Sequence, residues 1–123
     1  MHWISVALGG ALGAVCRYWV SICLLPVTSY KFPFATLSVN VAGSLLMGVL
    51  YVLILEKGGL PEQARNILMV GFLGAFTTFS TFSLDAISLW QNGGQLAALI
   101  YVISTVALCL VAIIFAIWLT RLF

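Results

Sequence analysis

Charge is what this sequence has least of. Of its 123 residues, five are Lys or Arg, three are Asp or Glu and one is His, so 7% are charged where soluble domains average about one quarter. A water-exposed globular surface is thereby excluded, and nucleic acid is not expected as a partner. The single histidine, His2, stands at the amino end, so no nucleophile and base can be assembled and enzyme chemistry is not expected. Cysteine is equally sparse. Cys16, Cys23 and Cys109 are an odd number without the paired spacing of a zinc site or a disulfide framework, and they read as packing residues. Proline occurs three times, at 26, 33 and 61, always between or at the ends of the apolar runs.

Those apolar runs fill the rest of the chain. Hydrophobic residues make up 63% and the mean hydropathy is +1.20. Crossing about 30 Å of hydrocarbon takes roughly 20 apolar residues in helical form, which leaves room for four crossings and no soluble domain. The expected spans are about 3–25, 34–55, 66–90 and 96–119. A short polar turn at 27–33 containing Lys31 separates the first two. Glu56, Lys57, Gly58, Gly59, Pro61, Glu62, Gln63 and Arg65 form the charged second loop, and Gln91 to Gln95 the third. No run alternates as a strand does. The chain reads as a single all-α, four-helix membrane domain over residues 1–123. A cleaved signal peptide is not expected, because the first apolar run exceeds the usual core of about 7–15 residues and only His2 precedes it as a basic group.

Orienting charge is weak. Lys57, Arg65 and Arg121 fall on one side and Lys31 on the other, a bias small enough for the chain to insert both ways and pair head to tail. One copy is too small for a solvated path without a partner. Gly9 and Gly13 form a GxxxG spacing beside Gly10, and Gly43 and Gly48 thin a face of the second helix. These small residues serve either packing within the chain or a dimer seam.

Polar residues inside the spans are costly in lipid, so their placement carries the functional signal. Thr36, Asn40 and Ser44 recur every four residues along one stripe of the second helix. Asn40 offers two N–H donors, suited to an anion or to a bond between helices. Tyr101, Thr105 and Cys109 repeat that spacing on the last helix, with Ser104 beside them; such hydroxyls also bond back to the preceding turn. Arg17 and Asp85 are intramembrane charges that either pair with each other, reach for headgroups, or serve a path: Arg17 by concentrating anions, Asp85 by binding a cation or carrying a proton.

The densest signal is residues 71–83, GFLGAFTTFSTFS, with five hydroxyls and two glycines where a lipid-facing helix carries leucine and valine. Gly71 and Gly74 bracket a place where a helix breaks, and Thr77, Thr78, Ser80 and Thr81 satisfy the backbone groups a break releases. Freed carbonyls suit a hard cation such as sodium. Phe79 and Phe82 are three apart and share a face, where their rings either pack or turn their positive edges to an anion.

Together with GGALGAVCRY at 9–18 and TLSVNVAGSLLMG at 36–48, this block resembles the Fluc or CrcB family of fluoride channels over nearly the whole chain. The resemblance implies a homodimer of oppositely inserted subunits in the plasma (inner) membrane, with two narrow pores and fluoride resistance as its service. It assigns Asn40, Phe79, Phe82, Ser80, Thr81, Tyr101 and Thr105 to the fluoride pathway. The carbonyls of Gly74 and Thr77 are implied to hold a central structural sodium, and Arg17 a vestibule. Cys109 stands where a hydroxyl is more usual and is left out of the site; Asp85 stands where relatives often carry glutamate, near the path or its entrance. Fluoride would move passively down its gradient, since no nucleotide or redox motif is present. Undissociated hydrogen fluoride enters from acid surroundings, dissociates and traps the anion, so export is the expected direction. The alternatives are a small proton-coupled exporter of the small multidrug resistance type, disfavoured because the first helix carries Arg17 and no carboxylate, and a non-transporting scaffold.

Overall fold

The computed structural model describes residues 1–28 and 32–123, so Lys31 and part of the expected turn at 27–33 lie outside the described residues. Helix α1 spans His2–Thr28 and runs past the expected stop at Pro26. A proline in a helix removes one N–H and crowds the carbonyl four residues back, a local cost that here falls within three residues of the helix end and does not stop it. Helix α2 spans Phe34–Glu56. Its last turn, Tyr51–Glu56, is wider than an α-helix, and the Lys57 N–H donates five residues back to the Val52 carbonyl at 2.9 Å.

Helix α3 covers residues 62–76 and starts at Glu62, directly after Pro61, where the expected span began at 66. Proline fixes its own φ and needs no N–H partner, so it suits the position before a first turn. Two extended residues, Thr77 and Thr78, follow; then α4 takes Phe79–Gln91 and α5 takes Gln95–Arg121. A turn with Gly93 at φ 83° joins α4 to α5. The described residues are all helical or loop, with no strand.

Four helical stretches are long and apolar enough to cross a membrane, the third being Glu62–Gln91 with the break inside it. Helix α5 has 27 residues, about 40 Å at 1.5 Å per residue, so it exceeds the hydrocarbon and carries its ends to the headgroups. There Arg121 Nε donates to Glu56 Oε2 at 3.0 Å, fastening the end of α5 to the end of α2.

Packing follows two seams, α1 on α3 and α2 on α5, with α4 also against α5. The first seam is backbone on backbone. A Cβ on Gly9 would stand 2.1 Å from the Ile67 carbonyl oxygen, and one on Gly13 2.1 Å from that of Phe72. The GxxxG spacing is therefore used within the chain. The core sits where α1, α2 and α3 meet: Val39, Leu73 and Phe76 are buried, with Cys16, Val20, Met47 and Phe72 against them. By contrast Leu110, Val111, Ile114 and Trp118 of α5 are exposed apolar groups, the surface a helix presents to lipid.

Candidate functional site

The break is held open by α2. Thr77 takes ψ 160° and Thr78 φ −153°, ψ 121°, both extended. Asn40 faces Thr78 as a neighbouring strand would: its Oδ1 accepts from the Thr78 N–H at 2.8 Å, and its Nδ2 donates to the Thr78 carbonyl at 3.0 Å. Because one partner only donates and the other only accepts, the amide orientation is fixed. Of the two donors that Asn40 offers, one is thus engaged with the break.

Thr78 also starts the next helix. Its Oγ1 accepts from the Thr81 N–H at 3.2 Å, the usual service of an N-cap threonine. On the other side of the break, the Thr77 N–H and Oγ1 both donate to the Leu73 carbonyl, at 3.0 and 2.8 Å. Gly43 leaves the room this needs, since its Cβ would stand 2.1 Å from the Thr77 Cγ2.

A groove of about 380 Å³ runs beside the break, lined by Asn40, Ser44, Thr77, Thr78, Phe79, Phe82, Thr105 and Cys109 among others. Phe79 is 78% exposed and Phe82 only 7%, with their ring centroids 5.5 Å apart. Phe82 in turn contacts Tyr101 at 5.2 Å, and Tyr101 meets Phe32 edge-on at 5.4 Å. Thr105 is 4% exposed, and its Oγ1 is a buried polar atom without a hydrogen-bond partner among the described residues. Ser104 does bond back, to the Ile100 carbonyl at 2.5 Å; Thr105 does not. Natural structures rarely leave such a group unsatisfied.

The opposite side of the break holds the charges. Arg17 lines a cavity of about 280 Å³ with Thr36, Thr78 and Thr81. Asp85 lines a neighbouring cavity of about 490 Å³, which shares Tyr18, Ser21 and Thr36 with it. Thr78 borders both the groove and the Arg17 cavity, so the break is the partition between them. Asp85 does not pair with Arg17. Its Oδ2 accepts instead from Thr36 Oγ1 at 2.7 Å and from the Tyr101 hydroxyl at 3.2 Å.

Asn40, Phe79, Phe82, Thr105 and Thr77 therefore gather on one groove, with Tyr101 immediately behind Phe82. Thr81 and Arg17 lie across the partition. Ser80 is exposed at the start of α4 with its hydroxyl 3.5 Å from that of Thr78, and Gly74 is exposed near the end of α3. Cys109 belongs to the groove, though its residue type had set it aside; the four-residue stripe with Tyr101 and Thr105 was the available signal. The hold of Thr36 on Asp85 links residues 49 apart and had no local signal.

Four helical stretches long and apolar enough to cross a membrane, one of them broken beside a groove that gathers an amide, hydroxyls and aromatic rings, define a multi-pass membrane protein. The family profile described as CrcB-like protein, Camphor Resistance (CrcB), matches residues 4–117. A protein of Saccharophagus degradans called "Fluoride-specific ion channel FluC" is 56% identical over 119 residues, covering 97% of this chain and 89% of its own. Another of that name from Hahella chejuensis is 52% identical, covering 98% and 95%, and one from Chelativorans is 43% identical, covering 98% and 96%. The chain belongs to the CrcB family, and it is a multi-pass protein of the inner membrane.

Proposed function

We propose that this chain is a passive, highly selective fluoride channel that exports cytoplasmic fluoride, working as an antiparallel homodimer with two pores and a central structural sodium. The relatives' shared name supports fluoride as the transported ion, and a transport family is not an enzyme family. The observation that carries the reading is the groove. It brings the Asn40 amide and a pair of phenylalanine rings together beside a broken span, with the unpartnered Thr105 hydroxyl buried just behind its wall.

Fluoride is compact and strongly hydrated, so a path must replace its water with donors already in place. The free N–H of Asn40, the Thr105 hydroxyl and the positive edges of Phe79 and Phe82 are such donors. Helix α4 adds to them, because its amino end lies at the break and a helix amino end favours negative charge. Arg17 raises the local anion concentration on the far side of the partition. Ser80 and Thr81 supply hydroxyls at the margins, Tyr101 serves the pathway by backing the Phe82 ring while its O–H is given to Asp85, and Asp85, held by Thr36 and Tyr101, borders the entrance.

The groove is largely apolar, but Asn40 lines it with one N–H that has no partner among the described residues, a group that hydrocarbon cannot satisfy, which supports a second copy as its cover. The carbonyls of Gly74 and Thr77 fit a hard cation: the N–H groups four residues on, those of Thr78 and Thr81, are bonded elsewhere, to Asn40 and to the Thr78 side chain. Bound sodium would give those oxygens, at the centre of the dimer, the partner that the break denies them.

Purified protein in fluoride-loaded liposomes tests the reading. Fast efflux without a proton gradient, lost in Phe82→Ile and in Asn40→Asp, is the expected result. Absence of efflux from the unmodified protein removes the channel, and a proton-driven cation flux assigns it to the exporter class.

A further inference from the structure

In a continuous α-helix each N–H donates to the carbonyl four residues back. By that rule the Thr78 N–H belongs to the Gly74 carbonyl and the Thr81 N–H to that of Thr77. Neither bond forms. The first N–H is taken by Asn40 Oδ1 at 2.8 Å and the second by Thr78 Oγ1 at 3.2 Å. The two carbonyls released are therefore a consequence of where two side chains sit, and one of them comes from another helix, 38 residues away.

Asn40 does more than intercept a donor. Its Nδ2 donates to the Thr78 carbonyl at 3.0 Å, so the amide grips both backbone groups of one residue and fixes it in the extended form. Gly43, about one turn further along the same face of α2, receives the Thr77 methyl where a Cβ would otherwise stand. Helix α2 thus shapes both extended residues, Thr77 through a gap and Thr78 through an amide.

From this geometry we infer that Asn40 is the positioning residue of the cation site: by withholding the Thr78 N–H from Gly74 it keeps that carbonyl available, and so couples cation occupancy to the groove that Asn40 also lines. This rests on the reading of Gly74 and Thr77 as sodium ligands. The coupling has a direction. Loss of the Asn40 acceptor lets the Thr78 N–H return to Gly74, closes the turn and weakens the site, even though Asn40 itself never touches the ion.

The measurement is the midpoint of thermal unfolding of detergent-purified protein against sodium concentration, with choline as the replacing cation. It reads occupancy without reading transport. Asn40→Leu, which removes both bonds, should raise the half-saturating sodium concentration by about tenfold, which corresponds to about 1.4 kcal/mol. Asn40→Ser carries the same expectation if the leucine variant does not fold, because its shorter side chain does not reach the Thr78 amide. Asn40→Asp keeps the acceptor and should bind sodium no more weakly than the original protein, while fluoride efflux is lost. Half-saturation unchanged in Asn40→Leu or Asn40→Ser, with sodium still stabilising the original protein, overturns the positioning role and leaves the sodium ligands standing. No sodium-dependent stabilisation of the original protein overturns both.

Discussion

Thr105 gains nothing from its own fold. Its hydroxyl is buried, lines the groove through its residue, and has neither the back-bond that Ser104 makes nor any other partner among the described residues. A buried hydroxyl without a partner costs about 1–3 kcal/mol, so a passing anion that accepts from it would explain the expense. Thr105→Val keeps the shape and deletes the donor. The original hydroxyl contributes no bond to the folded chain, so unfolding should be unchanged or shifted upward while fluoride efflux falls by about tenfold, the scale of one lost net hydrogen bond at a rate-limiting barrier. Efflux at the original rate would show that the hydroxyl is not used. Asn40 illustrates the complementary case, a residue whose two alternatives at the level of sequence, anion donor and helix-to-helix bond, are both compatible with the geometry. Residue type alone did not identify Thr78 as the partner, because a hydrogen bond between residues 38 apart leaves no local trace.

At the scale of elements, the broken span was readable because its signal in the sequence is local, even though the amide that holds it open comes from α2. Hydroxyls and glycines in hydrocarbon mark a place where backbone groups need partners, and the two extended residues, Thr77 and Thr78, fall inside that block. Helix ends were less readable. Pro26 did not stop α1, and residue spacing carried no signal for the wide turns of Tyr51–Glu56 and Arg65–Leu73. The small-residue motif was readable as a close contact but not as to which contact, since a glycine face fits either a neighbour in the chain or a second copy. The seam of α1 against α3 makes this testable. A Cβ on Gly13 meets the Phe72 carbonyl at 2.1 Å, an atom of backbone that cannot step aside, so Gly13→Ala should cost about 1–3 kcal/mol of stability. Gly74 has helical φ −60° and ψ −34°, and the nearest atom to its Cβ is 3.8 Å away. Gly74→Ala should leave stability unchanged or raise it by up to about 1 kcal/mol, since alanine restricts the unfolded chain. Thermal unfolding of both variants in one detergent checks the contrast. Equal losses would mean that the seam is not the close contact described.

For the whole molecule the decisive matter is orientation. Asn40 lines a mostly apolar groove and keeps one N–H without a partner among the described residues, so in a membrane that group needs a cover, and the proposed cover is an inverted second copy. That requires one polypeptide to insert both ways. Topology follows the Lys and Arg count in short loops, to which acidic residues contribute little, so the ion pair of Arg121 with Glu56 does not cancel Arg121. The count is then three, Lys57, Arg65 and Arg121, against Lys31. Few charges decide such a chain, and few should therefore fix it. Lys31→Gln with Gln63→Lys places every loop cation on one side and should drive one orientation. The opposite set, Lys57→Gln, Arg65→Gln and Gln91→Lys, should shift insertion toward the other. Residues 57, 63, 65 and 91 are all exposed, so folding is not the quantity being perturbed. Each charge variant expressed alone should lose most fluoride efflux for want of an inverted partner, and the two expressed together should recover it. Labelling of cysteines placed at the two termini reads the orientations directly. If the unmodified protein labels from one side only, dual insertion is wrong; if each variant alone conducts as well as the pair, the groove is covered by something other than an inverted copy.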